Sequence, residues 1–251
     1  VKVSGAKNAS LALLCAAILA KNEIILENVP DISDVRVMIE IINSLGAKAA
    51  WETPDILRIV PPENLNAGAP FHLVKKLRAS NLLLGPMLAR FGKAAVALPG
   101  GCNIGPRRID FHIRGLEKLG ARIDIDHGFI RVHTDGLKGA VVPLDYPSVG
   151  ATENLVMAAT AADGETIIEN AAREPEIMDL CAFLQGMGAE IDGAGTSTIH
   201  VAGGRPLHGV EHAVIADRIE AGTYLLMGAA TRGRVTTLGL EPVHLELFLA
   251  K

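Results

Sequence analysis

The sequence predicts an α/β fold in which three copies of one helix–strand–helix–strand–strand unit close around an approximate threefold axis, helices inside and sheets outside. Three observations predict it. The segments NSLGAKA (43–49), EKLGARI (117–123) and QGMGAEI (185–191) are versions of one another, with Gly46, Gly120 and Gly188 spaced by 74 and 68 residues. A helical apolar stripe precedes each glycine. The Ala/Leu-rich helix that opens each unit is apolar on most faces, which marks a buried helix.

The opening helices span 9–20, 80–91 and 151–162. Short strands follow: IILEN (24–28), KAAVAL (93–98) and TIIEN (166–170). The second helices carry the stripes Val35, Met38, Ile39, Ile42; Ile109, His112, Ile113, Leu116; and Ile177, Leu180, Cys181, Leu184. Glycine just past each stripe suits a left-handed C-cap. Further strands come next, such as RIDID (122–126) and FIRVHT (129–134). A unit of about 70 residues is too long for a thin solenoid, so the copies are expected to close on themselves.

The chain ends inside a fourth unit, with a first helix (218–230), a strand (234–238) and the start of another helix. The expected organisation is a three-repeat domain over 8–215, with 1–7 and 216–251 as parts of an incomplete second domain.

The 251 residues are 49% hydrophobic and carry a net charge of −4, so no global charge points to nucleic acid. Cys15, Cys102 and Cys181 lie far apart and outside any CxxC pattern, which argues against a disulfide framework or a zinc knuckle and for reduced cytosolic thiols. The run ASLALLCAAILA (9–20) is too short to span a bilayer. It is not read as a secretory signal, because Ile18 stands where cleavage after Ala20 needs a small residue and the same kind of segment recurs. No metal, cofactor, nucleic-acid or membrane partner is expected.

From Pro30 to the stripe residue Val35 is 5 residues, but from Pro99 to its counterpart Ile109 is 10. The difference is the loop GGCNIGPRR (100–108), which the scaffold does not need and which therefore points to function. Arg107 and Arg108, with backbone N–H groups of the Gly-rich loop, would lower the pKa of the Cys102 thiol and let it donate a proton or attack an electrophile. Cys15 and Cys181 fall on apolar stripes and read as packing residues. His112 replaces the Met38 and Leu180 of the other units; it is either a satisfied core histidine or a member of a site. Asn8, Arg78 and Gly150 occupy equivalent positions at the first helices, with Lys7 before Asn8 and Ser148-Val149 before Gly150. Helix starts favour anions, and arginine forks suit phosphate and carboxylate oxygens, so these residues are expected to form an anion site between the units.

At SGAKNA (4–9), RASN (78–81), LPGGCNIGPRRIDFHI (98–113), SVGATEN (148–154) and ENAAREPEI (169–177), the sequence resembles the UDP-N-acetylglucosamine 1-carboxyvinyltransferase family of enolpyruvyl transferases, along essentially the whole chain. The resemblance implies an inside-out α/β barrel of two domains with three repeats each. It implies a cytoplasmic enzyme of peptidoglycan precursor synthesis, and so of cell-wall formation, cell shape and division. The reaction transfers the enolpyruvyl group of phosphoenolpyruvate to the 3-hydroxyl of UDP-N-acetylglucosamine, without a cofactor.

By the same resemblance Lys7 and Asn8 bind phosphoenolpyruvate and Arg78 lies at the substrates. Cys102 protonates the methylene carbon, can hold a covalent adduct, and is the site of fosfomycin alkylation. Arg107, Arg108, Ile109, Asp110 and Phe111 bind the UDP-sugar, and Tyr146, Pro147, Ser148 and Val149 lie around its uridine and diphosphate; His112 and Gly150, which adjoin these stretches, are expected to bind substrate with them. Arg108 departs from the proline often found there, and Tyr146 from a lysine. The general base and further arginines lie in the second domain, beyond Lys251, so the isolated chain is expected to have little or no activity. The rival readings are enolpyruvyl transfer to shikimate 3-phosphate and a non-catalytic ligand-sensing or thiol redox module on the same repeats.

Overall fold

The computed structural model describes residues 1–64, 71–97 and 109–251. Cys102, Arg107 and Arg108 lie outside the described residues.

The first unit runs α1 (Lys7–Ala16), β1 (Ile24–Glu27), α2 (Ser33–Ser44), β2 (Lys48–Trp51) and β3 (Leu57–Val60). The second holds a short α3 (Phe71–Val74), a 3-10 helix (Arg78–Leu83), α4 (Leu84–Phe91), β4 (Lys93–Ala97), α5 (Asp110–Lys118), β5 (Arg122–Asp126) and β6 (Phe129–His133). The third runs β7 (Val141–Pro143), α6 (Val149–Ala159), β8 (Glu165–Glu169), α7 (Pro175–Gly186), β9 (Glu190–Asp192), β10 (Thr198–Ala202) and β11 (Glu211–Ala213). After these come α8 (Arg218–Ala230) and α9 (Glu246–Leu249).

The three sheets share one pattern. In each, the first strand pairs antiparallel with the third, and the third with the second: β1-β3-β2, β4-β6-β5 and β8-β10-β9. The register puts Leu26 opposite Leu57, Val96 opposite Ile130, and Ile168 opposite Ile199, all buried. One face of each sheet therefore covers the helices. The helices sit inside: Ala9 to Ala16 of α1 and Ala151 to Ala159 of α6 are buried on every face. α1 packs on α2 and α7, and α6 on α4, α5 and α7.

The three repeat glycines have φ of +109°, +90° and +107°, each closing a Schellman motif. In the first, the N–H of Gly46 donates to Asn43 O at 3.0 Å and that of Ala47 to Ile42 O at 3.1 Å. The same two bonds recur at Gly120–Ala121 and Gly188–Ala189. The predicted stripes are the packed faces of α2, α5 and α7, with Ile109 and Ile113 half-buried.

Two features differ from the expected unit. Helix 80–91 opens as a 3-10 helix and becomes α-helical only at Leu84. Pro86 has no N–H for the carbonyl four residues back, so it sits in the first α-helical turn, where none is needed. The short strands β7 and β11 were not anticipated. β7 adds parallel to β8 and β11 adds parallel to β1, so the end of the third unit completes the sheet of the first.

A second, smaller core of Val3, Ala221 and Leu245 lies beside the main one. The N-terminal segment joins it: the N–H of Val3 donates to Leu238 O at 3.0 Å, and that of Leu238 to Val1 O at 2.8 Å. No helix among the described residues is long and apolar enough to cross a membrane.

Candidate active site

A cleft of about 920 Å³ opens where helix starts from all three units meet. Lys7, Arg78 and Val149 are the first residues of α1, the 3-10 helix and α6, and all three line it. Asn8, Phe111, His112, Tyr146, Pro147, Ser148 and Gly150 line it too. Residues as far apart in sequence as Lys7 and Arg218 are thereby brought together. Ile109 and Asp110 do not line the cleft: Ile109 packs on the core, and Asp110 Oδ2 accepts from Arg114 at 3.2 Å.

Not all of the expected free N–H groups are open to a ligand. The N–H of Lys7 donates to Asp217 Oδ2 at 3.1 Å, while Asp217 Oδ1 caps α8 through Ile219 and Glu220. One carboxylate thus holds the starts of two helices. Ser148 Oγ accepts from Ala151 N at 3.4 Å at the start of α6. Lys7 Nζ meets Asp34 Oδ2 at 3.2 Å, an ion pair exposed enough for an anion to compete with.

His112 is buried, and its Nδ1 lies 2.8 Å from Asn154 Nδ2. Asn154 is fixed on both sides: its Oδ1 accepts from Gly85 N at 2.5 Å, and its Nδ2 donates to Asn81 O at 2.8 Å. The second Nδ2 hydrogen must go to His112, so Nδ1 accepts and the imidazole proton sits on Nε2. Burial chiefly, with Arg78 adding and Asp110 opposing, pushes the His112 pKa down to about 4. The ring is therefore a neutral donor next to Gly150, where a Cβ would come within 3.3 Å of it.

The cleft also has a group of acidic lining residues. Glu176 is buried and held by Arg218, Nε to Oε1 at 3.1 Å. Glu174 lies beside it, and Glu153 projects from α6. Burial first, then Glu176 and Glu174, push the Glu153 pKa up to about 8. None of Asp34, Lys76, Glu153, Glu174, Glu176 and Arg218 was assigned a role from sequence. A Glu–Asn pair inside an otherwise apolar helix was the available signal for Glu153 and Asn154, since a buried polar group needs a partner or a purpose. Cys15 and Cys181 are free and buried in the core, and burial raises both thiols, Cys181 to about 12.

The family model for EPSP synthase (3-phosphoshikimate 1-carboxyvinyltransferase) matches residues 1–251. The chain belongs to this enolpyruvyl transferase family. Among curated relatives it is 50% identical, over 251 residues, to UDP-N-acetylglucosamine 1-carboxyvinyltransferase 2 of Carboxydothermus hydrogenoformans, covering 100% of this chain and 60% of that protein. It is also 50% identical over 252 residues to UDP-N-acetylglucosamine 1-carboxyvinyltransferase of Shewanella woodyi, again covering 60% of it. The chain thus spans about 60% of the length of these curated relatives.

Among solved structures, the enolpyruvyl transferase NikO from Streptomyces tendae superposes with a TM-score of 0.80 at 24% identity, covering 91% of this chain and 54% of that one. EPSP synthase from Acinetobacter baumannii gives 0.73 at 20% identity, covering 92% and 52%. These likenesses establish the enolpyruvyl transferase fold, in agreement with the α/β repeats, helices inside and sheets outside, expected from the sequence.

Proposed function

We propose that the protein transfers the enolpyruvyl group of phosphoenolpyruvate to the 3-hydroxyl of UDP-N-acetylglucosamine with release of phosphate, a step of peptidoglycan precursor synthesis. The observation that carries this reading is the convergence of Lys7, Asn8, Arg78 and Ser148–Gly150 on one cleft of helix starts, in a chain half identical to proteins named for this activity. The shikimate 3-phosphate reading is weaker, because EPSP synthase is only 20% identical.

In the proposed reaction the sugar oxygen bonds to C2 of phosphoenolpyruvate while C3 gains a proton. Loss of phosphate from C2 and of a proton from C3 then restores the double bond. Positive charge builds at C2 during addition, so the cleft must hold phosphate and carboxylate with donors already oriented. Lys7, Asn8 and Arg78 take that role, and Cys102, on its added loop, is the acid over C3. Ser148, Val149 and Gly150 with Phe111 and His112 hold the sugar nucleotide, and Arg107 and Arg108 act with the loop. Residues 8–215 form the domain that carries them, and 1–7 with 216–251 belong to a second domain that supplies the base for the sugar hydroxyl. Cys15 and Cys181 are free thiols, as in a reducing cytoplasm.

The test is phosphate release by the whole protein with both substrates, together with thermal shift by each nucleotide or sugar phosphate. Turnover and stabilisation by UDP-N-acetylglucosamine, but not by shikimate 3-phosphate, are expected. Stabilisation by shikimate 3-phosphate alone would overturn the substrate assignment.

A further inference from the structure

Glu153 stands out among the groups lining the cleft. It is 4% exposed, yet it lines the cavity. Among the described residues nothing hydrogen-bonds to its carboxyl or forms an ion pair with it. Its carboxyl is left to the cleft, where a ligand rather than the protein can satisfy it.

The surroundings explain its state. Glu176 approaches from α7, with Glu174 immediately before that helix, and both disfavour a further negative charge. Arg218, the cation from α8, is engaged by Glu176. α1 presents Lys7, held on Asp34, and the buried Cys15. The 3-10 helix brings Arg78 to the cleft, and α5 brings His112 as a neutral ring. α4 brings no charge to this point, because Arg90 bonds to the carbonyls of Ile18 and Ala20. An ionised Glu153 would also repel the anionic ligands that the cleft is built to take.

We propose that Glu153 meets the substrate as a neutral carboxylic acid and donates its O–H to an anionic ligand oxygen, of phosphate, diphosphate or carboxylate. This rests on the substrate reading above and adds to it a contacting residue and a proton. The acid supplies a donor beside the carboxylates Glu174 and Glu176, whose one neighbouring cation, Arg218, is engaged by Glu176, and its pKa of about 8 keeps it protonated at neutral pH. Binding then requires the protonated form, so ligand binding above that pH takes a proton from solvent.

The experiment is calorimetric titration of the whole protein with phosphoenolpyruvate and with UDP-N-acetylglucosamine from pH 6.5 to 9.5, for wild type and Glu153→Gln. With one required proton of pKa about 8, wild-type affinity for the contacted ligand falls about tenfold between pH 7 and 9. Glutamine donates from its amide at every pH, so the wild-type to E153Q affinity ratio shifts by that same factor. Wild type alone, titrated at pH 9 in two buffers of different ionisation enthalpy, takes up close to one proton on binding, which needs no variant. Parallel pH curves for the two proteins, or no proton uptake at pH 9, would overturn the role of Glu153 while leaving the substrates in place. Failure of both ligands to bind at any pH would overturn the substrate reading and this contact with it.

Discussion

The side-chain amide of Asn154 donates to Nδ1 of His112 at 2.8 Å, and the same amide holds the N–H of Gly85 and the carbonyl of Asn81. One residue of α6 thereby ties α4, the 3-10 helix and α5 together behind the cleft and sets the tautomer of its imidazole. Asn154→Ala leaves the N–H of Gly85 and Nδ1 of His112 without this partner, while Asn81 O keeps the N–H of Leu84, and should cost about 2 kcal/mol or more, read from urea unfolding. Histidine nitrogen NMR should show a proton on Nε2 of His112 in the wild type and a mixture of tautomers in the variant. An unchanged tautomer would show that Asn154 is not what fixes it.

The fold was legible because its signals repeat. A Schellman cap needs glycine at one place per unit, and Gly46, Gly120 and Gly188 each supply it behind a stripe of 3.6 period. β7 and β11, only three residues long, are too short for alternation to register, and only pairing with β8 and β1 makes them strands. The convergence of Lys7, Arg78 and Ser148–Gly150 on one cleft was legible because they occupy equivalent helix starts in successive units. Glu153 and Asn154 could not be read so easily. They sit inside an apolar helix, and their roles come from Glu174, Glu176, Gly85 and His112, which only the tertiary fold brings near.

Glu153 and His112 give opposite pH dependences to stability. Glu153 has a folded pKa of about 8, above its ordinary 4.5, so the folded state holds a proton that the unfolded state has released. Its contribution is fully present below pH 4.5 and is lost as pH rises through about 8. The full window amounts to roughly 5 kcal/mol. Glu153→Gln removes this loss, so its melting temperature should gain on the wild type steadily from pH 5 to pH 8.5. Melting curves that stay parallel across that range would contradict it.

His112 works from the other side. Its folded pKa of about 4 lies below the ordinary 6.5, so its contribution is present above pH 6.5 and lost as pH falls through 4. The loss is about 3 kcal/mol when complete. His112→Gln should be less stable than wild type at pH 7 but show a shallower acid limb, measured by circular dichroism melts from pH 7 to 4. An equally steep limb would place the acid sensitivity elsewhere.

Asp217 caps α8 with one oxygen and takes the N–H of Lys7 with the other. Asp217→Ala should cost about 1–2 kcal/mol, as loss of an N-cap does. It should also weaken ligand binding, because the start of α1 is no longer anchored to α8. Asp217→Ser keeps a short acceptor for the α8 cap. It should therefore recover most of the stability but not the binding, since one hydroxyl cannot serve both helices. Full recovery of affinity in the serine variant would rule out the anchoring of Lys7 as a requirement.

The three thiols should differ sharply in reactivity. Cys15 lies in the core with its Sγ 3.8 Å from Met38 Sδ, and burial, reinforced by Glu153, raises its pKa. Cys181 is likewise buried and pushed up to about 12. Thiolate is the reacting form, so neither should alkylate at pH 7.5 while the fold is intact. Cys102, five residues before the Arg107–Arg108 pair in a Gly-rich stretch of sequence, is expected to react first. Brief iodoacetamide treatment followed by peptide mass spectrometry should find the label on Cys102 alone, with Cys15 and Cys181 labelled only after denaturation. Labelling of Cys181 at the same rate in the native protein would mean that the packing of α7 opens on that timescale, and the assignment of one reactive sulfur would fail.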